Sequence, residues 1–130
     1  MAVGVEQQSG TVQDQVIGAF VAAWNTRDEA ERRRLLERCW AEDGVFIHSS
    51  GEFAGRKAQE SNIRSSVEQW PDGAHVEISP VEEHHRWLEY TWRILRPDGS
   101  LFAAGMHVAK RAADGRLQKV INFPIPRVGG

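Results

Sequence analysis

The sequence predicts an α+β fold, and three observations carry the prediction. Apolar residues recur at helical spacing through the first half of the chain. The second half changes to β-favouring, alternating runs. Two Gly-containing turns then join three successive extended segments into a meander. Helices segregated from an antiparallel sheet define this class.

The helices come first. Val12, Val16, Phe20 and Ala23/Trp24 lie four and three residues apart, so they share one helical face. Asn25 and Thr26 end that pattern, and Asp28 is placed to cap the next helix. Residues 29–40 are rich in Glu, Arg and Leu, which are good helix formers. Leu35, Leu36, Cys39 and Trp40 make the apolar stripe of this helix, and the charged run Glu31, Arg32, Arg33, Arg34, Glu37 and Arg38 makes its solvated face. A third helix is expected from about residue 55 to 70, with Ile63 and Val67 inward, stopped by Pro71, Asp72 and Gly73.

The strands follow. Val45, Phe46 and Ile47 form a short β-rich run before the turn at Ser49, Ser50 and Gly51. Residues 75–81 and 84–95 are read as extended segments, the second one long and continuous. Pro97, Asp98 and Gly99 form a strong turn, because proline fixes φ and glycine accepts a positive one. Residues 101–110 return, Ala113, Asp114 and Gly115 turn again, and residues 117–123 form the last strand. Alternation places Phe46 with His48, Tyr90 with Trp92, and Gly105 with His107 and Ala109 on shared faces.

Composition narrows the function classes. With 130 residues the chain fits one domain, read as residues 11–126 after a disordered polar lead-in at 1–10. A net charge of −2 gives no basic field for nucleic acid, and no apolar run is long enough for a membrane span. The single cysteine, Cys39, cannot form an internal disulfide and reads as a buried inert thiol. No metal-type His or Cys spacing is present, so neither a metal nor another cofactor is expected. A cytoplasmic location is the default expectation for such a chain.

Four stretches, in their order and spacing, carry a resemblance. They are AAWNTRD at 22–28, CWAEDGVF at 39–46, HH at 84–85 followed by YTWR at 90–93, and GMHVA at 105–109 followed by DGRL at 114–117 and VINF at 120–123. Together they resemble the SnoaL-like branch of the nuclear transport factor 2-like (NTF2-like) superfamily. The resemblance implies a cone-shaped, curved antiparallel sheet wrapped by three helices of the N-terminal half. It also implies a pocket at the wide end and, often, a homodimer through the sheet. Members include ketosteroid isomerases, polyketide cyclases, hydrolases, dehydratases and pure binders, so the fold leaves function open.

Similarity to the ketosteroid isomerases places the general-base aspartate at His48, the protonated acid at His107 and the oxyanion tyrosine at Phe20, so none of the three groups is retained in kind. Histidine titrates near neutrality, which makes His48 and His107 candidate catalytic acid/base residues. Trp24, Trp40, Trp92 and Phe123 resemble the apolar lining of related proteins, and with Phe20, Phe46 and Tyr90 they make the candidate ligand pocket. One of His84 and His85 is expected to face the same pocket. Three readings follow: a binder of a small, mostly apolar ligand with a polar group; an isomerase, cyclase or lyase using His48 and His107; and a non-catalytic protein-interaction module. The apolar outer positions Trp87, Leu95, Met106 and Val108 suggest the homodimer face.

Overall fold

The computed structural model describes residues 12–125, with side chains from residue 15 onward. The lead-in, the side chain of Val12 and the domain limit at residue 126 lie outside the described residues. In chain order the elements are α1 (Val12–Asn25), α2 (Glu29–Cys39), β1 (Trp40–His48), β2 (Gly51–Ala54), α3 (Arg56–Val67), β3 (His75–Ile78), β4 (Glu82–His84), β5 (Trp87–Leu95), β6 (Leu101–Arg111) and β7 (Leu117–Pro124).

Local chemistry explains the helix ends. Asp28 Oδ1 accepts from the backbone N–H groups of Ala30 and Glu31 at 3.0 and 3.4 Å, as expected of an N-cap. Arg32 departs from the solvated face predicted for it. It is 2% exposed, and its guanidinium donates to the carbonyls of Ala23 and Thr26. Those carbonyls lie at and just past the end of α1, where helical partners run out, so α2 supplies the missing donors. Trp40 leaves the predicted helical stripe and opens β1 instead. α3 stops at Val67, three residues short of Trp70, in a tighter turn where Trp70 N–H donates to Val67 O at 3.1 Å.

The sheet runs β2-β1-β7-β6-β5-β3, with β4 paired to β5. It is mixed rather than wholly antiparallel: β1 and β7 are parallel, with Phe46 beside Val120 and Ile47 beside Ile121. The extended run expected over 84–95 is a hairpin. His85 and Arg86 turn it with φ of 53° and 68°, left-handed values that such residues seldom adopt. The strand expected over 75–81 ends at Ile78. The outer edge of β3 is covered by one side chain: Asn25 Oδ1 accepts from Val76 N–H at 2.8 Å, and Asn25 Nδ2 donates to Val76 O at 3.0 Å.

The three helices lie against the concave face. Phe20, Leu36, Cys39, Trp40, Ile63, Leu117 and Val120 are sealed between the layers. Burial pushes the Cys39 thiol up to about 12, so it stays protonated and unreactive. Toward the β3 side of the sheet this packing opens into a hollow.

Candidate functional site

Strand register brings four polar side chains into one row across the concave face. Tyr90 of β5 pairs with His107 of β6, and His107 pairs with Asn122 of β7. Ile47 of β1 pairs with Ile121, which puts the next residue, His48, beside Asn122. Neighbouring side chains in a strand alternate, so all four share the inner face.

The row is internally bonded. Tyr90 Oη lies 2.9 Å from His107 Nδ1, with both residues buried. The His107 ring also hydrogen-bonds the Asn122 side chain. Trp92 Nε1–H donates to Asn122 Oδ1 at 2.8 Å. His48 Nδ1 accepts from the Ser50 backbone N–H at 3.2 Å and lies 2.8 Å from Ser50 Oγ. Gly105 makes the Trp92 position possible, because a Cβ there would meet the indole at 2.4 Å.

Over this row lies a cavity of about 270 Å³. Phe20, Val21 and Trp24 of α1, Asn62 and Ser66 of α3, and Trp70 form the helix side. Phe46, His48, Val76, Ile78, Tyr90, Trp92, Ile94, His107 and Asn122 form the sheet side. Trp24 and Trp70 stack at 6.2 Å with only 9° between their planes, and Phe20 meets Trp24 edge-on. No Asp, Glu, Lys or Arg is among the described lining residues.

Burial sets the charge state of the row. It pushes His107 down to about 3, outweighing the opposing effect of its hydrogen bond to Asn122. It also drives the Tyr90 phenol far above its ordinary range. Both groups are therefore neutral at physiological pH.

Of the residues singled out from the sequence, Phe20, Trp24, Phe46, His48, Tyr90, Trp92 and His107 line the cavity. Trp40 does not. It is fully buried behind Phe20, stacked on it at 5.4 Å, with its ring against Gly44. Phe123 is on the other face and half exposed, because its neighbour Asn122 takes the inward position. Neither His84 nor His85 lines the cavity; both are exposed, with their Nδ1 atoms 3.1 Å apart at the hairpin tip. Sequence reasoning passed over Asn122, Asn62, Ser66 and Trp70. Alternation from the inward Val120 points to Asn122, whereas nothing in the helical pattern marks Asn62 and Ser66 as inward.

Helices closed over a curved sheet, with an aromatic hollow between them, define the cone-shaped α+β pocket class. The SnoaL-like domain model matches residues 17–120, and the chain belongs to that family. A SnoaL-like family protein from Agrobacterium tumefaciens, provisionally described as an isomerase, superposes with a TM-score of 0.79 at 25% identity, covering 89% of this chain and 99% of that one. An NTF2-like protein of unknown function from Exiguobacterium gives 0.66 at 21% identity over 90% and 100% of the two chains. A provisionally described SnoaL-like polyketide cyclase from Jannaschia gives 0.64 at 13% identity over 88% of each chain. Among curated proteins, none matches the chain.

Proposed function

We propose that the chain binds a small, uncharged, mostly apolar molecule bearing one polar group. A single observation carries this reading: the row Tyr90, His107, Asn122 and His48 is the polar floor of an otherwise largely aromatic and aliphatic cavity whose described lining holds no Asp, Glu, Lys or Arg. Pockets of this type orient a ligand through a few placed polar groups and hold it by apolar contact. The size suits a molecule of about two fused rings, since an apolar cavity of roughly 150 Å³ takes benzene.

The provisional isomerase and cyclase descriptions of the two relatives raise a second reading, in which His48 and His107 act as an acid/base pair. The geometry supports binding over proton transfer. Protonating His107 at pH 7 from a value of about 3 costs about 5 kcal/mol, so it is a poor proton acceptor. His48 Nδ1 accepts from the Ser50 N–H, so its lone pair is engaged and the ring hydrogen sits on Nε2. No carboxylate in the described lining takes over the role of base.

Tryptophan fluorescence tests both readings, since Trp24, Trp70 and Trp92 line the cavity. Titration with 2-ethylnaphthalene is expected to give saturable one-to-one quenching, abolished in Ser66→Phe, which fills the hollow from α3. Absence of saturable binding rejects the pocket. Enhanced exchange of the methyl protons of 2-acetylnaphthalene in D2O, lost in both His48→Gln and His107→Gln, would establish the catalytic reading instead.

The same proposal includes a homodimer formed through the convex sheet face and a cytoplasmic location. Among the described residues no helix is long and apolar enough to cross a membrane.

A further inference from the structure

We infer that Asn122 and His48 turn hydrogen-bond donors into the sheet-side end of the cavity, which so selects a neutral acceptor, of the ketone or aldehyde class, over hydrocarbons and carboxylates. The inference rests on the pocket reading above and adds the polarity of the ligand's recognised group.

The orientation of Asn122 is the first ground. An amide side chain has a donor end and an acceptor end, and their assignment depends on the partner. Here the partner is an indole, which can only donate. Trp92 Nε1–H, 2.8 Å away, therefore fixes the facing atom as Oδ1 and turns the N–H2 end the other way. Trp92 reaches this position because Gly105 of the neighbouring strand carries no Cβ, which would meet the indole at 2.4 Å.

The second ground is His48. A backbone N–H also can only donate, so the Ser50 N–H at 3.2 Å requires the His48 lone pair on Nδ1. In the neutral ring the remaining nitrogen carries hydrogen and is a donor. Tyr90 and His107, by contrast, use their polar atoms on each other and on Asn122. A carbonyl oxygen, with two lone pairs, meets this set. A carboxylate also accepts, but brings a full charge into a lining with no Lys or Arg among its described residues, where desolvation goes without a fixed counter-charge.

Three probes of one shape test it: 2-acetylnaphthalene, 2-ethylnaphthalene and 2-naphthoate, each titrated by tryptophan fluorescence. One net hydrogen bond predicts that the ketone binds about five-fold tighter than the hydrocarbon. Unpaired desolvation predicts that the carboxylate binds at least about ten-fold more weakly than the ketone. The ratio of ketone to hydrocarbon affinity is the decisive readout, because general damage to the cavity weakens both. In Asn122→Asp, which removes the amide donor, and in Trp92→Phe, which frees the amide to turn, that ratio is expected to fall toward one. Equal binding of ketone and hydrocarbon by the native protein, or a ratio unchanged in both variants, overturns the inference and leaves the pocket standing. Failure of all three probes to bind overturns the pocket and the inference together.

Discussion

Adding one carbon at Gly105 puts a Cβ 2.4 Å from the Trp92 ring, inside any real contact distance. Gly105→Ala must therefore push the indole off β6 and break its bond to Asn122. An overpacking cost of about 1–3 kcal/mol is expected, read as a lower urea midpoint with unchanged slope. A variant within about 0.5 kcal/mol of native would show that Trp92 is not held there. His107 gives the second prediction at this scale. Its ring titrates near 6.5 when unfolded and near 3 when folded. As the pH falls below 6.5 the unfolded chain takes the proton first, so the stability contributed by the neutral ring is complete above 6.5. It is lost on acidification down to about 3. The slope is about 1.4 kcal/mol per pH unit, or about 2 kcal/mol from His107 between pH 7 and 5. His107→Gln cannot titrate, so its stability should fall less over the same interval; parallel urea-derived curves for the two proteins would refute the depressed basicity. The sequence foreshadowed His107 on the inner face through the spacing Gly105, His107 and Ala109. It did not yield Asn122, because the family resemblance put Phe123 in the lining, while the pleat allows only one of two neighbours inside.

Asn25 works on a whole strand. β3 lies at the edge of the sheet, and its outer backbone groups have no neighbouring strand among the described residues. The Asn25 amide takes that place at Val76 with one donor and one acceptor, joining the end of α1 to the sheet. Asn25→Ala removes both bonds at once. The expected cost is about 1–3 kcal/mol, with the Val76 amide exchanging hydrogen markedly faster than in the native protein. Unaltered exchange at Val76 would mean that water serves that edge equally well. At this scale the sequence was readable wherever the signal was local. The Asp28 cap and the turn at Pro97, Asp98 and Gly99 each involve residues a few positions apart. The β4–β5 hairpin was hidden because His85 and Arg86 occupy a turn that normally announces itself by Asn-Gly or a similar pair. The parallel β1–β7 pair was hidden for a different reason. It joins segments some seventy residues apart, and alternation is the same whether a neighbour runs parallel or antiparallel.

Across the whole molecule, concave and convex faces differ in how their apolar residues are covered. The helices roof the concave face, so polar groups there had to be bonded to one another, as Tyr90, His107 and Asn122 are. The convex face has no such roof among the described elements. Register places Met106 beside Phe123, and Val108 beside Ile121, which in turn adjoins Ile47. Phe123 is 50% exposed and Trp87 39% exposed, in line with an outward surface on β5, β6 and β7. Lys110 lies over the Trp87 ring at 5.0 Å and, with Lys119 and Glu89, rims this apolar patch with charge. An apolar centre with a charged rim is the anatomy of an association surface. A two-fold contact uses the same patch on both copies, so a single substitution acts twice. Val108→Glu, within the patch, should thus convert a micromolar dimer to monomer in sedimentation equilibrium while leaving far-UV circular dichroism and probe binding in the opposite-facing cavity intact. A native protein that sediments as a monomer at these concentrations removes the dimer. It would then leave the exposed Phe123 and its neighbours as a surface whose apolar character serves some other contact.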